Sequence, residues 1–146
     1  MYTTCANLNE FFYKKLEPLG CQEDTKAYII SILDKYKTPT FDFSREKVTL
    51  LYAEAKYSYD FIKYQNLGDW LFFAKSCFPE HLKNASEDYY VTIAKLSYYS
   101  CYSLLNKQWP LYENIADNFE NLSKETGKLI YDSMYDLPIQ KNSRIL

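Results

Sequence analysis

Hydrophobic positions recur every three or four residues along most of the chain, the spacing that places side chains on one face of an α-helix. No stretch shows the strict apolar–polar alternation of a half-buried strand, and the 146 residues include only three glycines. The pattern therefore predicts an all-α protein, a single helical bundle of about five or six helices. We expect residues 1–136 to form this bundle domain and residues 137–146 to form an exposed tail. Two sub-bundles that meet at the centre of the chain are the alternative.

The first two helices are predicted from apolar stripes over residues 8–16 and 23–37. Pro18 and Gly20 end the first of these helices. The second begins with acidic residues and ends with lysines, which suits the charge distribution of a helix dipole. We expect residues 38–43 to form a non-helical connector whose two phenylalanines pack against the core.

A long third helix is predicted to begin after Ser44, a candidate N-cap. Its seam consists of Val48, Leu51, Ala55, Tyr59 and Ile62. Gly68 either ends this helix or lets its backbone approach another helix closely. Asp69 would then cap a short fourth helix over residues 70–78. Because a cap explains an aspartate at this position, we prefer capping by Asp69 over a functional carboxylate.

Two more helices follow the central stretch. The fifth is capped by Ser86, and its seam consists of Tyr90, Ala94, Ser97, Cys101 and Leu104. The middle residues of this seam are small, so a partner helix can approach closely, with Tyr98 and Tyr99 pointing to the flanks. The sixth helix spans residues 110 to about 135, although Gly127 within it argues against an unbroken rod.

Tyrosine is unusually frequent, with 16 residues of this type. A tyrosine combines a large apolar ring with a hydroxyl that needs a hydrogen-bond partner, so many of these rings should be half-buried. The simplest interpretation is a wide amphipathic contact between helices. The alternative is a tyrosine-rich binding surface, because aromatic residues are enriched at protein interfaces.

Charge and hydropathy exclude several classes of protein. A net charge of −2 and a pI near 5.5 argue against a nucleic-acid partner, which normally requires a basic face. The N-terminus shows no charged segment followed by an apolar core, so we predict no signal peptide. The longest apolar run, residues 70–74, is far too short to cross a membrane. We therefore expect a cytoplasmic protein without membrane insertion.

The central stretch carries a resemblance. Leu67-Gly68-Asp69 is followed by Leu71-Phe72 and then by Phe78-Pro79-Glu80, and Asp88-Tyr89-Tyr90 opens the next helix. These motifs resemble a family of small uncharacterised bacterial helical proteins that show Leu-Gly-Asp, Leu-Phe and Phe-Pro-Glu in this order. The sequence departs from the family at residues 75–77, where small or apolar residues and a glycine are usual. The resemblance implies a helical fold and no particular activity.

Metal, haem and thiol chemistry find little support in the sequence. His81 is the only histidine, and neither the paired Glu-x-x-His motifs of a di-iron bundle nor four closely spaced zinc ligands are present. We therefore predict no metal and no cofactor, with haem ligation by His81 as the alternative. Cys77 precedes His81 by four residues, but Pro79 between them disfavours helical pairing, so Cys77 is interpreted as a buried, inert thiol.

One pair of acidic residues could carry chemistry. Asp69 and Glu80 bracket the central apolar stretch, and a folded-back short helix would bring them together to face Tyr89 or Tyr90. The preferred interpretation is that Asp69 caps a helix and that Glu80 accepts hydrogen bonds from nearby backbone donors.

We predict from these features a non-catalytic cytosolic interaction module, an adaptor or regulatory protein whose partner is another protein or a second copy of itself. Its binding surface would use the tyrosines of the fifth helix or the group Trp70, Phe73, Phe78 and His81.

The alternative is a bundle that binds a small molecule or haem, including an enzyme. Its pocket would lie between helices and take its polar groups from Asp69, Glu80, His81 and Tyr90. No catalytic motif is recognisable in the sequence, so we assign no catalytic residue.

Overall fold

The computed structural model describes residues 4–36, 44–82 and 87–131, and within these ranges it is an all-α bundle without strands. The helices are α1 (Thr4–Lys15), α2 (Glu23–Lys35), α3 (Arg45–Ser58), α4 (Phe61–Cys77), α5 (Glu87–Leu104), α6 (Pro110–Asp117) and α7 (Phe119–Tyr131), with a 3-10 turn at Pro79–Leu82. The predicted fold class is confirmed, and the described residues form seven α-helices rather than five or six.

Helix α4 is the centre of the bundle. It packs against α2, α3, α5 and α7, and nine of its 17 residues are buried. The apolar run over residues 70–74 leaves this part of the helix without a polar face, which is typical of a helix enclosed by others.

The boundary between α3 and α4 differs from the prediction. Helix α3 begins at the predicted cap, Ser44, whose hydroxyl accepts from the Lys47 N–H at 3.2 Å. It ends much earlier than expected, because Tyr59 adopts a left-handed conformation with φ of 51°. The side chain of Asp60 then accepts from the Ile62 N–H at 2.9 Å and caps α4. The prediction that Asp69 caps a short helix is therefore wrong.

Two glycines mark close contacts between helices. A Cβ on Gly68 would lie 3.0 Å from the Tyr98 ring, and a Cβ on Gly127 would lie 2.0 Å from the carbonyl oxygen of Ser76. Gly68 therefore serves a close approach between α4 and α5 and does not end a helix. Helix α7 runs unbroken through Gly127, where its backbone contacts that of α4.

The predicted sixth helix is in fact two. Helix α6 ends at Asp117, where Asn118 leaves the helical conformation with φ of −111°. The Asn118 side-chain amide donates to the carbonyl oxygen of Asn114 at 3.0 Å and so satisfies a backbone acceptor at the helix end. Helix α7 starts at the next residue and can take a different direction.

The seam of small residues on α5 is confirmed, since Ala94, Ser97 and Cys101 are fully buried. The prediction that Tyr98 points to a flank is wrong, because its side chain is also fully buried. The missing side chain at Gly68 provides the space that the Tyr98 ring occupies.

Three sequence predictions fall outside the described residues. These are the connector over residues 38–43, the cap at Ser86 and the tail over residues 137–146. They stay predictions.

Replacing Gly127 with alanine should strongly destabilise the bundle. The new methyl group would overlap the Ser76 carbonyl, which is backbone and cannot rotate away, so the free energy of unfolding should fall by about 3 kcal/mol. Urea unfolding monitored by circular dichroism measures this change. Gly20→Ala is the matched control, since no atom lies within 4 Å of the added methyl group. Equal effects of the two substitutions would contradict the proposed α4–α7 contact.

Candidate functional site

Asp69 is a buried carboxylate that contacts three side chains from two other helices. The residue is 3% exposed, and its Oδ1 accepts hydrogen bonds from the hydroxyls of Tyr28 at 2.7 Å and Tyr98 at 2.8 Å. The other carboxylate oxygen, Oδ2, lies 3.5 Å from the Nζ of Lys35. One carboxylate thus connects α2, α4 and α5.

The network of polar groups around Asp69 extends to α6 through tyrosine rings. The Tyr28 ring meets the Tyr112 ring edge-on at 5.5 Å, and the Tyr98 ring stacks on Tyr112 at 6.4 Å. The Gln65 side-chain amide donates to the Tyr112 hydroxyl at 2.8 Å. Tyr28, Gln65, Asp69, Tyr98 and Tyr112 therefore form one cluster, called the tyrosine–aspartate network below.

Burial dominates the electrostatics of this network. Desolvation raises the pKa of Asp69 above its usual value, although the two phenol donors and Lys35 act in the opposite direction. Burial and the nearby Asp69 charge together raise the pKa of Tyr28 and Tyr98 far above that of a free phenol. Both tyrosines therefore stay protonated and act as hydrogen-bond donors at neutral pH.

Two cysteine thiols near the core, Cys77 and Cys101, are unsuited to nucleophilic chemistry. Burial raises the pKa of Cys77 to about 12, and burial followed by the Asp69 charge raises that of Cys101 further. A thiolate is the reactive form of cysteine, and at neutral pH both groups remain thiols.

A second feature lies on the outer side of α4. An open groove of about 290 Å³ separates α4 from α3 and the end of α2. It is lined by Tyr36, Lys47, Leu51, Glu54, Lys63, Asn66, Leu67 and Trp70. Apolar side chains thus share this groove with two lysines and a glutamate.

Lys35 and Asn66 connect the groove to the buried network. The Nζ of Lys35 donates to the side-chain oxygen of Asn66 at 2.8 Å as well as approaching Asp69. The Tyr36 hydroxyl donates to the backbone carbonyl of Asn66 at 3.4 Å. A group bound in the groove would therefore contact Asn66, whose side chain accepts from the same Lys35 that approaches Asp69.

The predicted site residues separate into two environments. Asp69 and Trp70 are neighbours in sequence, but Asp69 belongs to the network and Trp70 lines the groove. Phe73 is buried, and its ring lies 5.6 Å from Tyr36 and 5.9 Å from Phe78. Phe73 therefore belongs to the core rather than to an exposed binding surface.

The remaining predicted residues do not join Asp69 in what the structure describes. Tyr90 is 1% exposed and its ring lies 5.7 Å from Tyr89, whereas Tyr98 is the residue of α5 that reaches Asp69. Glu80 and His81 belong to the 3-10 turn, and their side chains lie outside the described part of the chain. Their assignment as binding residues stays a prediction.

Sequence reasoning missed most of the network, above all Tyr28, Lys35 and Tyr98. A usable signal was present, because Asp69 directly precedes the apolar run over residues 70–74, where the helix has no polar face. A carboxylate at such a position requires buried donors, and a chain with 16 tyrosines can provide them.

The structure shows neither a metal cluster nor a spanning helix within residues 4–36, 44–82 and 87–131. Groups of three His, Cys, Asp or Glu side chains that could hold a metal ion are missing there. None of the helices described combines the length and the apolar composition needed to cross a bilayer.

Neither a protein-family model, nor a curated protein, nor a solved structure matches this chain. The resemblance to small bacterial helical proteins therefore stays a prediction.

Removing the Tyr98 hydroxyl should weaken the bundle measurably. Hydrogen bonds to charged groups contribute about 1.5–3 kcal/mol, so Tyr98→Phe should lower the free energy of unfolding by an amount in this range. The control is Tyr57→Phe, because Tyr57 is 91% exposed and should change stability very little. Chemical denaturation of both variants distinguishes the two positions, and a neutral Tyr98→Phe would contradict the network.

Asp69 should also give stability a distinctive pH dependence. Its pKa is raised in the folded protein, so the folded state holds the Asp69 proton more tightly than the unfolded state does. The Asp69 contribution to stability should therefore increase as the pH falls from about 7 to about 4. The measured quantity is the difference in unfolding free energy between the wild type and Asp69→Asn across this range. A difference that decreases on acidification would show a lowered pKa and refute the assignment.

Proposed function

We propose that this chain is a non-catalytic protein-interaction module of the cytoplasm, an adaptor or regulatory protein, and that it binds its partner through α3 and the adjoining start of α4. The observation that carries the proposal is a set of large apolar side chains exposed in this region. Leu50 and Ile62 are more than half exposed, and Tyr57 and Tyr59 are more than three-quarters exposed. Large exposed apolar patches in folded proteins mark interaction sites.

The weak anchoring of α3 supports the same conclusion. Only Val48 and Ala55 of its 14 residues are buried. Leu50, Ala53 and Tyr57 are exposed and repeat at the 3–4 spacing of a helix face. An amphipathic helix that turns apolar residues outward is a common element for docking another helix.

The groove beside α3 would extend this surface. Leu51 and Trp70 line it, and tryptophan and tyrosine are the residue types that most often dominate binding energy. The two lysines and the glutamate at the groove would add polar contacts around the apolar centre.

The interior supports a role without catalysis. Oδ1 of Asp69 accepts from two phenols and Oδ2 faces Lys35, so the carboxylate is engaged in connecting helices. The cysteines with described side chains, Cys21, Cys77 and Cys101, are free thiols, which agrees with a reducing compartment such as the cytoplasm.

A photoreactive side chain on α3 tests the proposal. Benzoylphenylalanine at position 57 should form a covalent adduct with a protein partner when irradiated in a lysate of the source cells. The same group at position 13, on α1, is the matched control, because Tyr13 is also exposed but lies outside the proposed surface. Leu50→Glu should abolish the adduct without lowering the melting temperature. Equal labelling from both positions, or none from position 57, would refute the proposal.

A further inference from the structure

We infer that the partner of α3 is a second copy of this chain, with the two α3 helices packed antiparallel about a two-fold axis. The inference rests on the proposed function, since it names the occupant of the same surface. It is carried by the arrangement of charges along the exposed face of α3.

The centre of the exposed face is apolar. Glu46, Leu50, Ala53 and Tyr57 fall within about 60° of one another around the helix axis at 100° per residue. All four residues are exposed, and Leu50 and Tyr57 are the two large apolar side chains of this face. This 4-3-4 repeat is the spacing with which one helix packs along another.

One edge of this face is self-complementary in charge. Lys47 and Glu54 lie seven residues apart on the same edge, about 10.5 Å along the axis, too far to pair with each other. Among the described residues neither side chain forms an ion pair. In an antiparallel pair this edge faces its own copy, so Lys47 of each chain lies near Glu54 of the other. Two identical ion pairs then form, one on each side of the axis.

The opposite side of α3 is already engaged within the chain. The guanidinium of Arg45 lies 4.1 Å from the centre of the Tyr89 ring, and the Thr49 hydroxyl is hydrogen-bonded to the Tyr89 hydroxyl. These contacts with α5 fix the rotation of α3 about its axis. They leave the stripe of Leu50 and Tyr57 turned away from the bundle, and the Lys47–Glu54 edge stays exposed along the groove beside α4.

The size of the face sets the strength of the dimer. Helix α3 has 14 residues and is about 21 Å long, so a pair of such helices buries less than the roughly 1,200 Å² of a stable interface. We therefore expect a reversible dimer that forms as the protein concentration rises.

Sedimentation equilibrium of the full chain with charge-exchange variants tests the inference. Lys47→Glu and Glu54→Lys should each weaken the dimer about tenfold, because either change turns two attractive contacts into two repulsive ones. The double variant restores opposite charges and should return the dissociation constant to within about threefold of the wild type. Lys128→Glu and Glu125→Lys on α7 are the matched controls. Both positions are exposed, and these substitutions change the net charge by the same amounts as those at positions 47 and 54.

The outcomes also separate this inference from the proposed function. A chain that stays monomeric at all concentrations, or a double variant that fails to recover, overturns the antiparallel dimer. If the chain is monomeric while position 57 captures a different protein, the interaction module stands and only the identity of its partner is wrong. Melting curves that match the wild type show that every variant is folded.

Discussion

A buried carboxylate that must be satisfied by hydrogen bonds is the constraint on which this bundle depends. Asp69 lies in the enclosed helix α4, where an unpaired charge would be strongly unfavourable. The hydroxyls of Tyr28 and Tyr98 and the ammonium group of Lys35 compensate for the lost water. Because these groups belong to α2 and α5, the two helices can pack against α4 in few orientations that keep all the contacts.

The close helix contacts and the polar network depend on each other. Tyr98 reaches Asp69 because the neighbouring residue, Gly68, has no side chain where the Tyr98 ring lies. On another side of α4, Gly127 brings α7 against the backbone at Ser76.

The network explains part of the tyrosine excess, since Tyr98 and Tyr112 use their hydroxyls inside the bundle. The exposed tyrosines at positions 57 and 59 have no such internal role and belong to the surface on which the proposed function rests.

Local sequence was enough to predict a large part of the fold. The 3–4 periodicity gave the all-α class, the Ser44 cap and the small-residue seam of α5, because each depends on residues within a few turns of one another. It led to Asp69 and not to Asp60 as the predicted cap, since both residues precede apolar helical residues. Asp60 is the cap because the left-handed turn at Tyr59 ends α3 directly before it, whereas Asp69 is buried within α4.

The sequence by itself therefore determined the helical class, most of the helices and the importance of the stretch around Gly68 and Asp69. The tertiary structure alone decided which side chains that stretch contacts. Tyr28 and Tyr98 lie 41 and 29 residues away from Asp69 along the chain, and periodicity carries no information about pairs so distant. Such pairs form when helices pack, because the free energy of satisfying a buried charge depends on three helices at once.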